Sequence, residues 1–148
     1  MGKVWVIAAD AARARIFEAE HRTGNDLREV ETWVNPEMRN RGAELASDRP
    51  GRSWSPTGDG RHAMDEPTDP KEVEAQRFSR ELLERLNRAL QEGRFSHLVV
   101  AAAPHFLGLL RAGLNGRLKQ AVSVELDKDL SHLERPEQIR GHLPDFLF

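Results

Sequence analysis

Ser96-His97-Leu98-Val99-Val100-Ala101-Ala102-Ala103 is an uncharged, largely apolar run, followed at once by Pro104-His105-Phe106. A short continuous run of this kind, bounded by Gly93 and Pro104, predicts a β-strand buried on both faces. A second such run, Val4-Trp5-Val6-Ile7-Ala8-Ala9, ends at Asp10. Strands buried on both faces sit in the middle of a covered sheet, so these two are expected side by side and parallel. That pairing would bring Asp10 and the Pro104-His105-Phe106 turn to one edge.

The rest of the chain fits around this pair. Arg13–Ala19 reads as a strand, with Ala14 and Ile16 on one face and Arg13, Arg15 and Phe17 on the other. His21–Asp26 is a turn-rich loop. Leu27–Val34 alternates, Val30, Thr32 and Val34 against Glu29, Glu31 and Trp33, which predicts a third strand of an antiparallel meander. Asp69-Pro70-Lys71-Glu72 predicts a helix start: Asp69 as cap, Pro70 at the first helical position, Glu72 completing a capping box. Ala75, Phe78, Leu82, Leu83, Leu86, Ala89 and Leu90 keep helical spacing up to Gly93. After the central run come a short helix over 106–111, a further turn or two from Leu114, and an edge strand over Val122–Leu126. Asp127–Leu130 is expected to enter a final helical region. Pro136 then opens a last helix over 137–143, anchored by Ile139, Leu143 and Phe146.

Connection rules turn this list into a single α/β domain spanning 1–148, with a mixed five-stranded sheet in the order 3-2-1-4-5. The helix between the first and fourth strands permits their parallel pairing. This arrangement is ribonuclease-H-like, and the middle domain of class-1 translation release factors shares it.

Residues 36–68 stand apart as a long, flexible, basic loop, rich in Gly and Pro and nearly devoid of aliphatic side chains. From Arg39 to Arg61 it carries five Arg against three acids, in a chain of net charge −2. Arg49, Arg52 and Trp54 within it, with Arg13 and Arg15 outside it, are the candidate residues for binding nucleic acid or another anion. Guanidinium groups grip phosphates, and an indole stacks on bases. The chain holds 18 Arg and 4 Lys, a skew that scattered positions also allow as plain codon bias.

The absence of Cys excludes disulfides, thiolate metal sites and thiol nucleophiles. No run approaches the roughly 18 apolar residues of a membrane span, and the apolar stretch before Asp10 is too short for a signal peptide. These features predict a cytoplasmic protein with no membrane partner. No Gly-rich phosphate loop or nucleophile elbow occurs. The six His show no tight ligand spacing, and neither a metal set nor a cofactor is expected from the sequence. Asp10 and His105 are the only catalytic candidates. Asp10 stands where a two-metal nuclease of this fold would place its first carboxylate, but the fourth strand ends without an acid. The alternative role for Asp10 is to cap its turn, and for His105 to be structural.

Three segments together resemble the bacterial family known as "protein required for attachment to host cells". They are Ala8–Phe17, Ser47-Asp48-Arg49-Pro50-Gly51-Arg52-Ser53 and Ala103–Arg111; Glu125–Leu130 also fits. That family is similar in turn to bacterial relatives of the release-factor middle domain. In release factors the corresponding loop carries Gly-Gly-Gln and enters the peptidyl-transferase centre. This chain has no Gly-Gly-Gln; its nearest features are Pro50-Gly51-Arg52 and Gly58-Asp59-Gly60. The resemblance therefore implies a non-enzymatic module that contacts the ribosome, RNA or another polyanion through 39–61. An indirect attachment factor acting through a protein partner is one alternative. A hydrolase of RNA or peptidyl-tRNA at the Asp10/His105 edge is the other.

Overall fold

The computed structural model describes residues 2–37 and 69–148. Five strands form one sheet: β1 (Val4–Ala9), β2 (Arg13–Ala19), β3 (Arg28–Val34), β4 (His97–Ala102) and β5 (Val122–Leu126). Their order is β3-β2-β1-β4-β5. β1 pairs with β4 in parallel, Val4 opposite His97 through Ala9 opposite Ala102. β1–β2 and β2–β3 are antiparallel, and β4–β5 is parallel. The expected order and the parallel central pair are thus both present.

Both central strands are apolar, apart from His97 at the start of β4, because both faces of the sheet are covered. Trp5, Ile7, Ala9, Ile16, Leu98, Val100 and Ala102 face a layer made by α1 (Pro70–Gln91), α2 (Pro104–Gly113) and α3 (Gly116–Ala121). Val4, Val6, Ala8, Phe17, Val99 and Ala101 face the C-terminal segment, through Leu130, Ile139, Leu143 and Leu147. Ile139 belongs to α4 (Pro136–Arg140). Each large apolar side chain buried in this way contributes about 1.5–3 kcal/mol against chain entropy.

α1 forms where its sequence signals stand. Asp69 accepts from the Lys71 amide at 3.0 Å, and Pro70 occupies the first turn. At the other end Gly93 takes φ +77°, its amide donating to the Leu90 carbonyl while the Arg94 amide donates to that of Ala89, a Schellman closure. The capping box expected from Glu72 gives way to other partners. Its carboxylate accepts from Gln76 at 3.1 Å and pairs with His105.

Three local expectations are corrected by the tertiary structure. In β3, Ile16 pairs with Glu31 but Phe17 with Glu29, so Val30 is an extra residue at a bulge. The bulge breaks strict alternation, and Val30 packs against the same helix-side core as Trp33 rather than opposite it. Residues 127–130 form no helix: Asp129 folds back on the Ser131 amide at 3.0 Å, an Asx turn that stops helical propagation. Near the C-terminus Phe146 is 57% exposed beneath Arg22, and Leu147 is the buried anchor. Among the described residues no helix is long and apolar enough to cross a membrane.

Candidate functional site

The sheet order reverses direction between β1 and β4, and in open α/β sheets such a switch point leaves a crevice at the carboxyl ends of the strands. Asp10 stands there because β1 must turn sharply into β2. Its Oδ1 accepts from the amides of Ala12 (2.8 Å) and Arg13 (3.0 Å), and its own amide donates to the Arg13 carbonyl. This is the turn-capping role for which the sequence left room.

Strand alternation decides where the other carboxylate oxygen goes. Asp10 continues the row Val4, Val6, Ala8 and faces the C-terminal layer. There Asp10 Oδ2 meets Ser131 Oγ at 3.3 Å and His132 Nε2 at 3.3 Å. The same imidazole nitrogen lies 3.4 Å from Asp129 Oδ2, and Ser131 Oγ also donates to Asp129 Oδ1. Asp10, Asp129 and His132 each offer one ligand-type atom, and these atoms lie within 4.8 Å of one another.

Arg15 holds this segment against the sheet. Its Nη1 donates to the carbonyls of Ser131 (3.0 Å) and Leu133, while Nε and Nη2 bind Glu29 at 3.1 and 2.9 Å. The Arg15 hydrogen bond holds the Glu29 carboxyl below its ordinary range against the opposing effect of burial, and Thr32 adds a further bond. Leu130 is buried beneath the turn and pins it from inside.

His105 takes a different side. It opens α2, and its Nε2 lies 2.7 Å from Glu72 Oε1 on α1. Bonds from Gln76 and then from His105 lower the Glu72 pKa. The expected Asp10/His105 working edge is therefore divided. Both residues follow neighbouring parallel strands, but Asp10 is engaged in the C-terminal layer and His105 in the helical layer. Asp127 is exposed and takes no part; Asp129 does. Sequence reasoning missed Asp129, Ser131 and His132. The i, i+3 spacing of Asp129 and His132 after β5 was the available signal, but their partner Asp10 lies about 120 residues away and only the sheet order unites them.

The same edge carries both anchors of the basic segment. Asn35, fully buried, follows β3; its amide donates to the Ala12 carbonyl (2.9 Å), and its side chain donates to that of Ala11 (3.0 Å). Arg77 on α1 donates to Asn35 Oδ1 at 2.8 Å. Arg13 lines an adjoining cleft of about 350 Å³ with Ala12, Thr32 and Val34. Arg49, Arg52 and Trp54 lie outside the described residues.

No curated protein matches this chain. The family model described as "Protein required for attachment to host cells" matches residues 5–143, and the chain belongs to that family.

Proposed function

We propose that this protein is a non-enzymatic binding module that contacts RNA, ribosomal RNA foremost, through its basic segment 39–61. The carrying observation is that both anchors of that segment, Asn35 and the start of α1, join the body at the carboxyl edge of the sheet and are tied by Arg77. The segment's sequence carries five Arg and Trp54, residue types that neutralise phosphates and stack on bases. Arg13 adds a guanidinium beside the cleft there. Arg15 supports the site by holding the 131–133 backbone.

The sheet order supports a kinship with the release-factor middle domain, whose long loop works inside the ribosome. Without Gly-Gly-Gln the role here is contact rather than peptide release, and a ribosomal partner implies action in the cytoplasm. The separation of His105 from Asp10 argues against a hydrolase built on that pair.

Co-sedimentation with purified ribosomes tests the reading. The wild-type chain is expected in the ribosomal pellet at low salt and released as salt rises. Arg49→Ala/Arg52→Ala is expected to shift most of it to the supernatant. Absence of both proteins from the pellet, or equal presence of both, overturns the proposal.

A further inference from the structure

We propose that Asp10, Asp129 and His132 form a divalent-cation site, with Zn²⁺ as the favoured ion. Tetrahedral ligands held at about 2.1 Å from a zinc ion stand about 3.4 Å from one another. His132 Nε2 lies 3.3 Å from Asp10 Oδ2 and 3.4 Å from Asp129 Oδ2. Two of the three donor separations thus already have the coordinated value, and all three donors fall within 4.8 Å.

Asp10 and Asp129 place like charges around one hydroxyl, Ser131 Oγ, with the Asp10 side chain only 18% exposed. Such a pair calls for a positive charge between its members. Arg15 is close by, but its donors are directed to Glu29 and to the carbonyls of Ser131 and Leu133. A cation at the His132 position meets the demand, and neutral imidazole is itself a common metal ligand.

The donor chemistry narrows the ion. One imidazole and two carboxylates suit Zn²⁺ or Mn²⁺ better than an ion that prefers oxygen alone, and Zn²⁺ binds more tightly in the general affinity order. Three protein ligands leave a fourth position open. His132 is 59% exposed, so that position faces solvent at the switch-point crevice. An anionic oxygen, such as that of a phosphate, is the class of group it would accept.

The site is preorganised from several directions. Asp10 is held by the Ala12 and Arg13 amides, Asp129 by the Ser131 amide and hydroxyl, and the intervening backbone by Arg15. This proposal stands on residues separate from segment 39–61 and does not depend on the ribosome reading.

Titration calorimetry with ZnCl₂ alone tests it, with Mn²⁺ and its paramagnetic resonance signal as a second probe. Wild-type protein is expected to bind one equivalent of Zn²⁺ at this site. His132→Ala and Asp129→Asn are expected to weaken that event by at least about tenfold each, with unchanged circular dichroism, since the His132 side chain is mostly exposed and Asn keeps the size of Asp and an oxygen that can accept from the Ser131 amide. Asp10→Asn is the less direct variant because Asp10 also caps its turn. If the wild type takes up no stoichiometric Zn²⁺, or if both variants bind as the wild type does, the contacts of His132 with Asp10 and Asp129 are structural only and the site is refuted.

Discussion

Arg77 Nη2 donates to Asn35 Oδ1 at 2.8 Å, tying the residue that leaves β3 to the helix that covers the sheet. Asn35 also donates to the Ala11 carbonyl in the β1–β2 turn. Asn35→Ala removes an acceptor and a donor from a fully buried position and leaves Arg77 and Ala11 without those partners. The expected loss of stability is about 2 kcal/mol, read as a lower urea midpoint. A loss below about 0.5 kcal/mol, the range of an ordinary surface change, would show that the knot is idle.

Glu29 sets an acid limit on the same edge. Its carboxyl pKa in the folded protein lies below the ordinary 4.5, chiefly through Arg15. A depressed folded pKa means that its stabilisation is present above the unfolded value and is lost as pH falls through the folded one. Glu29→Gln should therefore cost about 1 kcal/mol at neutral pH and progressively less below pH 4.5. Denaturation curves across that range would refute the assignment if the difference between the two proteins stayed constant.

Leu147 and Phe146 are neighbours with opposite fates. Leu147 is fully buried, its amide donates to the Arg22 carbonyl at 2.8 Å and its carbonyl accepts from Ser123 Oγ at 2.6 Å. Leu147→Ala should lower stability by about 2–4 kcal/mol. Phe146→Ala removes an exposed ring stacked with Arg22 and should cost about 0.5–1 kcal/mol. Thermal denaturation of the two variants side by side decides between this ordering and its reverse.

Gly24 and Gly93 both take positive φ, +70° and +77°, but only one is crowded. A Cβ on Gly24 would lie 2.7 Å from Leu147 Cδ1, whereas one on Gly93 meets nothing within 4 Å. Gly93→Ala should cost about 1 kcal/mol from backbone conformation alone. Gly24→Ala adds overpacking against the C-terminal lock and should cost about 2–4 kcal/mol. Equal midpoints for the two variants would mean that Leu147 yields freely.

Much of the architecture was legible because it depends on local patterns. Continuous apolar runs marked the two central strands, helical spacing marked the core face of α1, and Asp69-Pro70 and Gly93 marked its ends. Phe146 and Leu147 were harder to separate, since both are apolar and only the way the C-terminal segment meets the sheet selects one. The β3 bulge at Val30 was equally hidden: nothing in a seven-residue strand says where its partner will run one residue short.

The site followed the same division. That Asp10 closes a strand and caps a turn follows from its place between an apolar run and two small residues, because an Asx turn needs only the amides that come next. That Asp10 meets His132 and Asp129 rather than His105 was decided in three dimensions. Sheet order and strand alternation direct its free oxygen to one layer and His105 to the other, and a side chain's facing depends on what covers the sheet as much as on its neighbours along the chain.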